Sequence, residues 1–557
     1  MLVGKHGFRS FRYLFTAHPC TLPRFPRHAA CSAAQKERET MDRRWIAGLS
    51  WLFIAWSCQA QDGGKADRPT PEQARQEAAR WSHTAVADIQ RMHQMIREAH
   101  PAVLDPGASA FHQWFSEGYD QAMALAGRAA TEQQAFAALR FYTTGYRDGH
   151  LAIWRNHHAA TPVRTTWAGW AVQRQAGRYR VSGRAAQWPI DTPQVGEQVL
   201  SCDGIPIDDL LTDKVAPFVN RLVHLEGTKS DLAWHLTRES PSAPLWEPLR
   251  LRQCTTRSAA GEIRSFNLAW QPLDDKDARA LARPRAPRQG IKEVRPGVQW
   301  VQASNFMPSS EKAMAAFEKM LEGIRQAGDA QAVVLDVRGN GGGNSLLGYR
   351  ILMALLTDAI TAGATQHSHA RAYWRVSAMA LEAFEERRTQ LLRTEGAGSL
   401  VYQFTQQMAS LMGDAASRGE DFVEQPQVDE THKELQQDTA AARANPFKGK
   451  LVLVTDAQCQ SACLDFVSAA LQIPGIVHVG SMTGTDTQYT DVADKALSPT
   501  VTFRVPLKVW KNHGRQDKEG KPYLPQFVFD GDLADTAAVQ AWVLDSILPT
   551  AGNIQLD

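Results

Sequence analysis

The sequence predicts an α/β core that is preceded by an N-terminal helical part and a small β-rich domain. Three sequence patterns predict this arrangement of parts along the chain. Apolar residues recur at helical spacing over 62–159, short strand-like runs fill 160–273, and strands alternate with helices over 285–557. Strands separated by helices indicate a parallel or mixed sheet with helices packed against it.

The composition is that of a folded protein with little net charge. Of the 557 residues, 43% are hydrophobic and 22% are charged, which does not indicate overall disorder. Basic residues number 61 and acidic residues 59, leaving a formal charge of +2. This balance argues against a protein that binds nucleic acid by neutralising many phosphates. We expect a peptide, a protein or a small molecule as the partner.

Residues 1–61 are predicted to be a leader, with Met41 as the true start. Met41 to Ala60 form a short Arg-bearing head, an apolar run and small residues, which is the layout of a secretory signal peptide. The apolar run is too short to cross a bilayer of ~30 Å as a helix. Export to the periplasm or the medium is expected, with a lipoprotein attached through Cys58 as the alternative.

The N-terminal helical part, 62–159, contains two predicted helices. The first begins near Thr70 and ends before Pro101, and the second covers Glu132 to Tyr146. The β-rich domain, 160–273, has its clearest strand in Val195–Ile207, where Asp203 and Gly204 predict a tight turn. This phrase resembles one found in PDZ domains, which capture peptide ends by adding a strand to a sheet edge.

A charged linker, residues 274–290, leads into the core. Its predicted elements are the strands Val298–Phe306, Ala330–Val337, Lys450–Thr455 and Ile476–Gly480, and the helices Ser309–Ala327, Ser345–Leu356 and Ser461–Leu471. An insertion, 367–445, is expected to be helical and then loosely structured. It is interpreted as a lid, a dimerisation arm or a surface helical excursion.

Two stretches of the core contain residues suited to catalysis. Val333–Ser345 is a buried strand that continues into consecutive glycines, whose N–H groups could bind an oxyanion. The alternative is an ordinary Gly-rich turn. In Leu451–Leu471 a strand leads to Ser461 at the start of a helix, where the helix dipole favours developing negative charge. Ser461 is therefore a candidate nucleophile, with a helix N-cap as the alternative.

Together these stretches resemble the C-terminal processing (tail-specific) peptidases and their tricorn-core relatives. Leu335–Gly343 matches the family's strand and Gly-rich loop, and Ser461–Cys463 matches its nucleophile helix. The resemblance implies a crotonase/ClpP-like mixed sheet and a serine peptidase that needs no cofactor. It also implies that the N–H groups of Gly342 and Ala462 bind the oxyanion.

The choice of base separates the branches of this family. Bacterial tail-specific members have a Lys about 25 residues after the Ser, whereas residues 480–488 here contain none, so a Ser/Lys dyad is not expected. Leu464 also stands where the family usually has Glu. The sequence is similar instead to the tricorn-like branch, whose members have a Ser-His-Glu arrangement in which the His precedes the PDZ-like domain.

In this branch, His150 is the candidate base. It lies in the phrase Tyr146–Leu151, which is similar to the branch's "D-x-H" phrase. The alternative is that His150 simply ends a helix. The orienting acid implied by the resemblance is Glu519, six positions before Pro525, with Asp517 as the fallback.

Four Cys residues remain after the leader, and their pairing is open at this stage. They are Cys202, Cys254, Cys459 and Cys463, for which three pairings exist in an oxidising compartment. Their spacing does not indicate a structural zinc site. A metal site is not expected at His157 and His158 or at His367 and His369, because acidic or Cys partners at ligand spacing are missing there.

The favoured hypothesis is an exported serine peptidase that acts through Ser461, His150 and Glu519. The rival hypothesis is a non-catalytic peptide-binding or scaffold protein that retains the peptidase fold. The altered helix after Ser461 motivates this rival.

Overall fold

The computed structural model describes residues 70–156, 165–281, 287–356, 370–426 and 447–548. The described residues from Glu77 onward belong to one compact unit. The predicted signal peptide, the two His pairs considered for a metal and the last part of the insertion lie outside the described residues. No helix among the described residues is long and apolar enough to cross a membrane.

The N-terminal part is helical, as the apolar spacing predicts, but it ends in a strand. Its elements are α1 (Pro71–Ala99), α2 (Ser109–Gln113), α3 (Tyr119–Ala126), α4 (Glu132–Thr144) and β1 (Ala152–Arg155). Thr131 caps α4 by accepting a hydrogen bond from the Gln134 N–H, which explains why the helix begins there. The helices pack their apolar faces against a sheet of the core, with Ile89, Tyr142 and Phe503 in one buried cluster.

The β-rich domain, residues 165–281, is called the module below. Its elements are β2 (Thr166–Trp167), β3 (Trp170–Gln175), β4 (Arg178–Arg184), β5 (Gln198–Cys202), β6 (Ile205–Pro206), α5 (Ile207–Leu210), α6 (Ala216–Val219), α7 (Glu226–Ala233), β7 (Arg238–Glu239), β8 (Gln253–Arg257), β9 (Ile263–Asn267), β10 (Gln271–Pro272) and α8 (Asp275–Ala280).

The main sheet of the module runs in the order β3-β4-β5-β8-β9, with β6 added to β5. A disulfide joins Cys202 on β5 to Cys254 on β8, where the two residues face each other in register. β10, β2 and β7 form a separate three-stranded sheet. Among the described strands, β3 pairs with β4 alone, so it lies at an edge of the main sheet.

The core follows the predicted alternation. Its elements are β11 (Gly290–Arg295), β12 (Val298–Gln302), α9 (Glu311–Gln326), β13 (Ala332–Asp336), α10 (Ser345–Leu355), β14 (Arg371–Arg375), α11 (Ala378–Thr394), α12 (Leu400–Arg418), β15 (Phe422–Glu424), β16 (Lys450–Thr455), α13 (Ala462–Ala470), β17 (Val477–Gly480), β18 (Tyr489–Ser498), β19 (Val501–Lys511), β20 (Phe527–Val528) and α14 (Thr536–Trp542).

The central sheet is mixed, in the order β11-β12-β13-β16-β17-β20. Within it, β11 and β12 pair antiparallel, and the other neighbours are parallel. Successive residues of β13 face opposite sides: Val333 packs towards α9, α10 and α13, whereas Val334 packs towards α14. Because both faces are covered, the strands read as continuous apolar runs. The predicted mixed helix and sheet fold is confirmed.

A second, antiparallel sheet joins the N-terminal part to the core. It has the order β1-β19-β14-β15, with β18 also paired to β19. β14 and β15 lie in the insertion, on either side of α11 and α12, so the described part of that segment contains two strands besides its expected helices. β1 begins two residues after His150 and pairs with β19 from Ala152 to Arg155.

Candidate active site

The Gly-rich turn after β13 is held by buried polar groups. Asp336, at the end of the strand, pairs with Arg338 at 2.6 Å between Oδ2 and Nη2, and both side chains are buried. The amide of Asn340 donates to the Ala303 carbonyl at 2.6 Å, and its Oδ1 accepts from the Gly342 N–H at 2.9 Å. Fully paired buried groups of this kind make the turn rigid.

Ser461 occupies a strained position directly before α13, at the end of residues 456–461, which are called the Ser461 turn below. Its φ of 54° and ψ of −127° are unusual for a residue with a side chain. Among the described residues, its hydroxyl makes no capping hydrogen bond to the helix, so it does not act as the N-cap considered as an alternative. A disulfide between Cys459 and Cys463 closes the chain around Ser461.

The Gly-rich turn and the Ser461 turn lie against each other. The Gly339 N–H donates to Asp456 Oδ2 at 2.9 Å, and this hydrogen bond joins the segment that follows β13 to the segment that follows β16. A Cβ atom added to Gly342, whose φ is +95°, would lie 2.9 Å from the Cβ of Ser461 and 3.0 Å from the nitrogen of Ala462. Gly342 and Ala462, the two expected oxyanion donors, are thus both adjacent to Ser461.

His150 lies in the turn between α4 and β1, six residues after the end of the helix at Thr144, so it does not end a helix. The positive φ of Arg147, 56°, bends the chain there. Asp148 Oδ1 accepts the backbone N–H of His150 at 2.8 Å and lies 3.5 Å from its Nδ1. The turn therefore sets a buried carboxylate beside the imidazole.

This carboxylate also faces a second imidazole. The Nδ1 of His100 accepts the Ala102 N–H at 3.1 Å, so a neutral His100 carries its proton on Nε2, which lies 3.8 Å from Asp148 Oδ2. Burial alone would raise the pKa of Asp148, but the two histidines hold that pKa well below its usual range. Burial lowers the pKa of His150, yet contact with Asp148 outweighs this effect and the pKa lies above its ordinary value.

Glu519, the expected orienting acid, makes a different contact. Its Oε1 accepts the Gln488 N–H at 3.3 Å, and burial together with the charge of Asp148 raises its pKa. Among the described residues, no ion pair joins Glu519 to His150. The fallback, Asp517, is exposed and lies 4.0 Å from Lys518. The carboxylate that the structure brings to the ring is that of Asp148.

A cavity of about 1040 Å³ connects the two halves of the site. Asp148 lines one wall, and Gln460, next to Ser461, lines another. A third wall is the loop 481–485, whose Gly484 N–H donates to the Cys459 carbonyl at 3.0 Å. Asp486, the next residue of this loop, adds a negative charge that raises the pKa of His150. Chain neighbours of the candidate base and of the candidate nucleophile, Gly149 and Gln460, thus line one cavity together with Gly341 of the Gly-rich turn.

Sequence reasoning did not identify Asp148, His100 or Asn340 as part of the site. Asp148 stands two residues before His150 in the phrase Tyr146–Leu151, and this proximity in sequence is the signal that points to it. In the part of the chain that the structure describes, no group of three or more His, Cys, Asp or Glu side chains could hold a metal ion.

Comparison with known proteins bears on the family and the fold. Residues 299–528 match the model of peptidase family S41. The crystal structure of a CPAF s499a mutant has a TM-score of 0.54 at 13% identity, covering 86% of this chain and 99% of that chain. Mature CPAF gives a TM-score of 0.53 at 13% identity, with 84% and 97% covered. These likenesses concern the fold. No curated protein sequence matches the chain.

Proposed function

Because this chain belongs to peptidase family S41, whose members are serine peptidases, we propose that it hydrolyses peptide bonds with Ser461 as nucleophile and His150 as general base. The observation that carries the proposal is the strained turn that holds Ser461 at the start of α13, directly against Gly342. Strained backbone at a reactive serine is typical of a catalytic position.

The proposed reaction is acyl transfer. The Oγ of Ser461 attacks the scissile carbonyl while His150 takes its proton, and His150 then gives that proton to the leaving amine. Water, activated by the same imidazole, releases the acyl group and regenerates Ser461. The contact with Asp148, which raises the pKa of His150, stabilises the imidazolium formed during both steps.

The oxyanion is proposed to bind the N–H groups of Ala462 and Gly342. Ala462 is the first residue of α13, where the N–H is not part of the helical ladder. The Gly342 N–H, which donates to Asn340 Oδ1, would donate to the oxyanion instead. The oxyanion is the stronger acceptor because it is charged. Removing one such donor typically costs about 100- to 1000-fold in kcat.

We assign the orientation of His150 to Asp148, and Glu519 is the competing candidate from sequence. The 3.5 Å contact with Nδ1 and the hydrogen bond from the His150 N–H support Asp148. Glu519 lies near enough to Asp148 for the two charges to interact, so it belongs to the same acidic group. Separate replacement of the two carboxylates distinguishes their roles.

The test is labelling of the folded protein by a fluorophosphonate probe, combined with peptide hydrolysis. We expect probe on the Ser461 peptide, and loss of labelling and hydrolysis in Ser461→Ala with unchanged circular dichroism. Ser468→Ala, on the same helix, is the matched control and should retain both. Absence of labelling in the folded wild type would favour the rival hypothesis of a non-catalytic peptide-binding protein.

We further propose that the protein is exported. The disulfides Cys202–Cys254 and Cys459–Cys463 support this, because disulfides persist mainly in oxidising compartments. Mass spectrometry of the secreted product would test both the cleavage after the signal peptide and the presence of the bridges. A retained leader and free thiols would argue against export.

The module is proposed to act as a PDZ-like peptide receptor. Its edge strand β3 supports this role, because residues 173–175 line the same cavity as Asp148. An extended peptide that pairs with this edge would continue into the cavity. The module would then hold the substrate while Ser461 reacts.

A further inference from the structure

A buried network of charged side chains has Arg515 at its centre. The side chain of Arg515 is 7% exposed, and its Nε donates to Asp465 Oδ1 at 2.7 Å. Its two terminal nitrogens donate to the two oxygens of Asp486, at 2.9 Å and 3.1 Å. Arg515 thus binds two carboxylates at once, through the planar set of donors that a guanidinium offers.

Asp465 links Arg515 to both of the turns that meet at Ser461. It lies in the first turn of α13, one helical turn after Ser461. Its second oxygen, Oδ2, accepts the hydroxyl of Ser345 at 2.6 Å. Ser345 is the first residue of α10, the helix that follows the Gly-rich turn. The carboxylate of Asp465 therefore joins the helix after Ser461 to the helix after Gly342.

Asp486 links Arg515 to the side of the cavity where the proposed base lies. It is buried, it follows the cavity loop 481–485, and its negative charge acts on His150. Its backbone carbonyl accepts the Gly520 N–H at 3.0 Å, next to Glu519. Arg515 thus connects α13 with a loop whose charge reaches His150, although the two segments belong to different parts of the fold.

The network also bears on the altered helix after Ser461. Leu464, which stands where the family usually has Glu, is buried in the apolar cluster of the core. The acid of this chain comes one position later, at Asp465, and has a defined partner in Arg515. The helix after the proposed nucleophile therefore retains a carboxylate with a fixed contact.

We propose that Arg515 is a positioning residue, which holds the helix of Ser461 and the loop before Asp486 in a fixed relative position. The proposal rests on the proposed peptidase function and adds a residue outside the reacting groups on which their alignment depends. Arg515 is not among the described residues that line the cavity, so it acts through Asp465 and Asp486. Buried and fully paired polar groups hold their segments in one arrangement.

The test compares Arg515→Lys with the wild type in the full-length protein. Lysine keeps the positive charge, but its ammonium lacks the planar fork that binds Asp465 and Asp486 together. The assay is fluorophosphonate labelling of Ser461 at increasing probe concentration, well below the unfolding temperature of each variant. We expect the limiting rate at saturating probe to fall about tenfold, because the nucleophile and the base lose their alignment. The half-saturating probe concentration should stay within about twofold, because the walls of the cavity are unchanged.

Asp486→Asn is a second, milder variant, because it keeps the shape of the side chain and leaves the pair between Arg515 and Asp465 intact. It should lower the limiting rate about threefold. Each rate is taken at the pH where it is highest, since removal of the charge of Asp486 also lowers the pKa of His150. This variant carries the test if Arg515→Lys fails to fold.

Arg375→Lys is the matched control. Arg375 lies on β14 and pairs with Asp421 at 2.7 Å, and its side chain is 13% exposed. It should keep the wild-type limiting rate, because this ion pair does not join the segments around Ser461.

A wild-type limiting rate in folded Arg515→Lys would overturn the proposal, even if its unfolding temperature were lower. So would a change confined to the half-saturating concentration, or an equal fall of the limiting rate in Arg375→Lys. If Arg515→Lys does not fold, a wild-type limiting rate in Asp486→Asn overturns it. Failure of the proposed function would appear separately, as absence of labelling at Ser461 in the wild type.

Discussion

Replacing Gly342 with Ala should inactivate the enzyme by displacing the Ser461 turn. The new Cβ would lie 2.6 Å from the Gln460 carbonyl oxygen and 2.9 Å from the Cβ of Ser461. The Gly-rich turn or the Ser461 turn must move away from the other by about 0.8 Å to restore an ordinary contact distance, because the two turns are tightly packed. The positive φ of +95° adds about 1–2 kcal/mol of backbone strain.

A displacement of this size is expected to lower kcat about 100-fold, since a misplacement of ~1 Å at a reacting group has that effect. The assay is the second-order rate of fluorophosphonate labelling at Ser461, with the unfolding temperature measured in parallel. Gly341→Ala is the matched control, because a Cβ there meets no atom within 4 Å and its φ is not positive. Wild-type labelling of Gly342→Ala, or an equal loss in Gly341→Ala, would refute this reasoning.

Three further predictions concern the proposed base and the two disulfides. Asp148→Asn should move the acidic limb of kcat/KM to lower pH, because the proposed base, His150, acts in its neutral form and Asp148 raises its pKa. Glu519→Gln should leave that limb in place, and a pH profile that shifts only in this variant would reassign the orienting acid. Replacing both Cys459 and Cys463 with Ala should lower kcat about tenfold with KM unchanged, because the turn around the proposed nucleophile, Ser461, is released. Removal of the disulfide between β5 and β8 should lower the unfolding temperature but not the labelling rate, and the reverse pattern would contradict this division.

Four strands and three helices of the core could be predicted because local periodicity determines them, whereas β11, β18, β19, β20 and α14 were not predicted. The predicted helix from Ser461 and the strand from Lys450 differ from the structure by one residue or less at either end. β14 and β15 were not predicted, because they have five and three residues and pair across the chain with β19 and with each other. Short strands of this kind depend on partners distant in sequence.

Some residues of the candidate site could be selected from the sequence, but their contacts, and the residues Asp148, His100 and Asn340, could not. The strand and glycine pattern singled out Gly342, and the structure places it against the Ser461 turn. The partner of His150 could not be ranked, because the approach of Asp148 depends on the left-handed conformation of Arg147. A residue with a side chain rarely adopts that conformation, and local sequence does not reveal it.

The pairing of β1 with β19 fixes the position of His150 independently of the module. His150 lies two residues before the start of β1, so the four residue pairs between β1 and β19 fix its position relative to the core. The module enters the chain after β1, and it contributes a further wall of the cavity through β3 and α7. A displacement of the module that widened the cavity would therefore leave the proposed base, His150, in place.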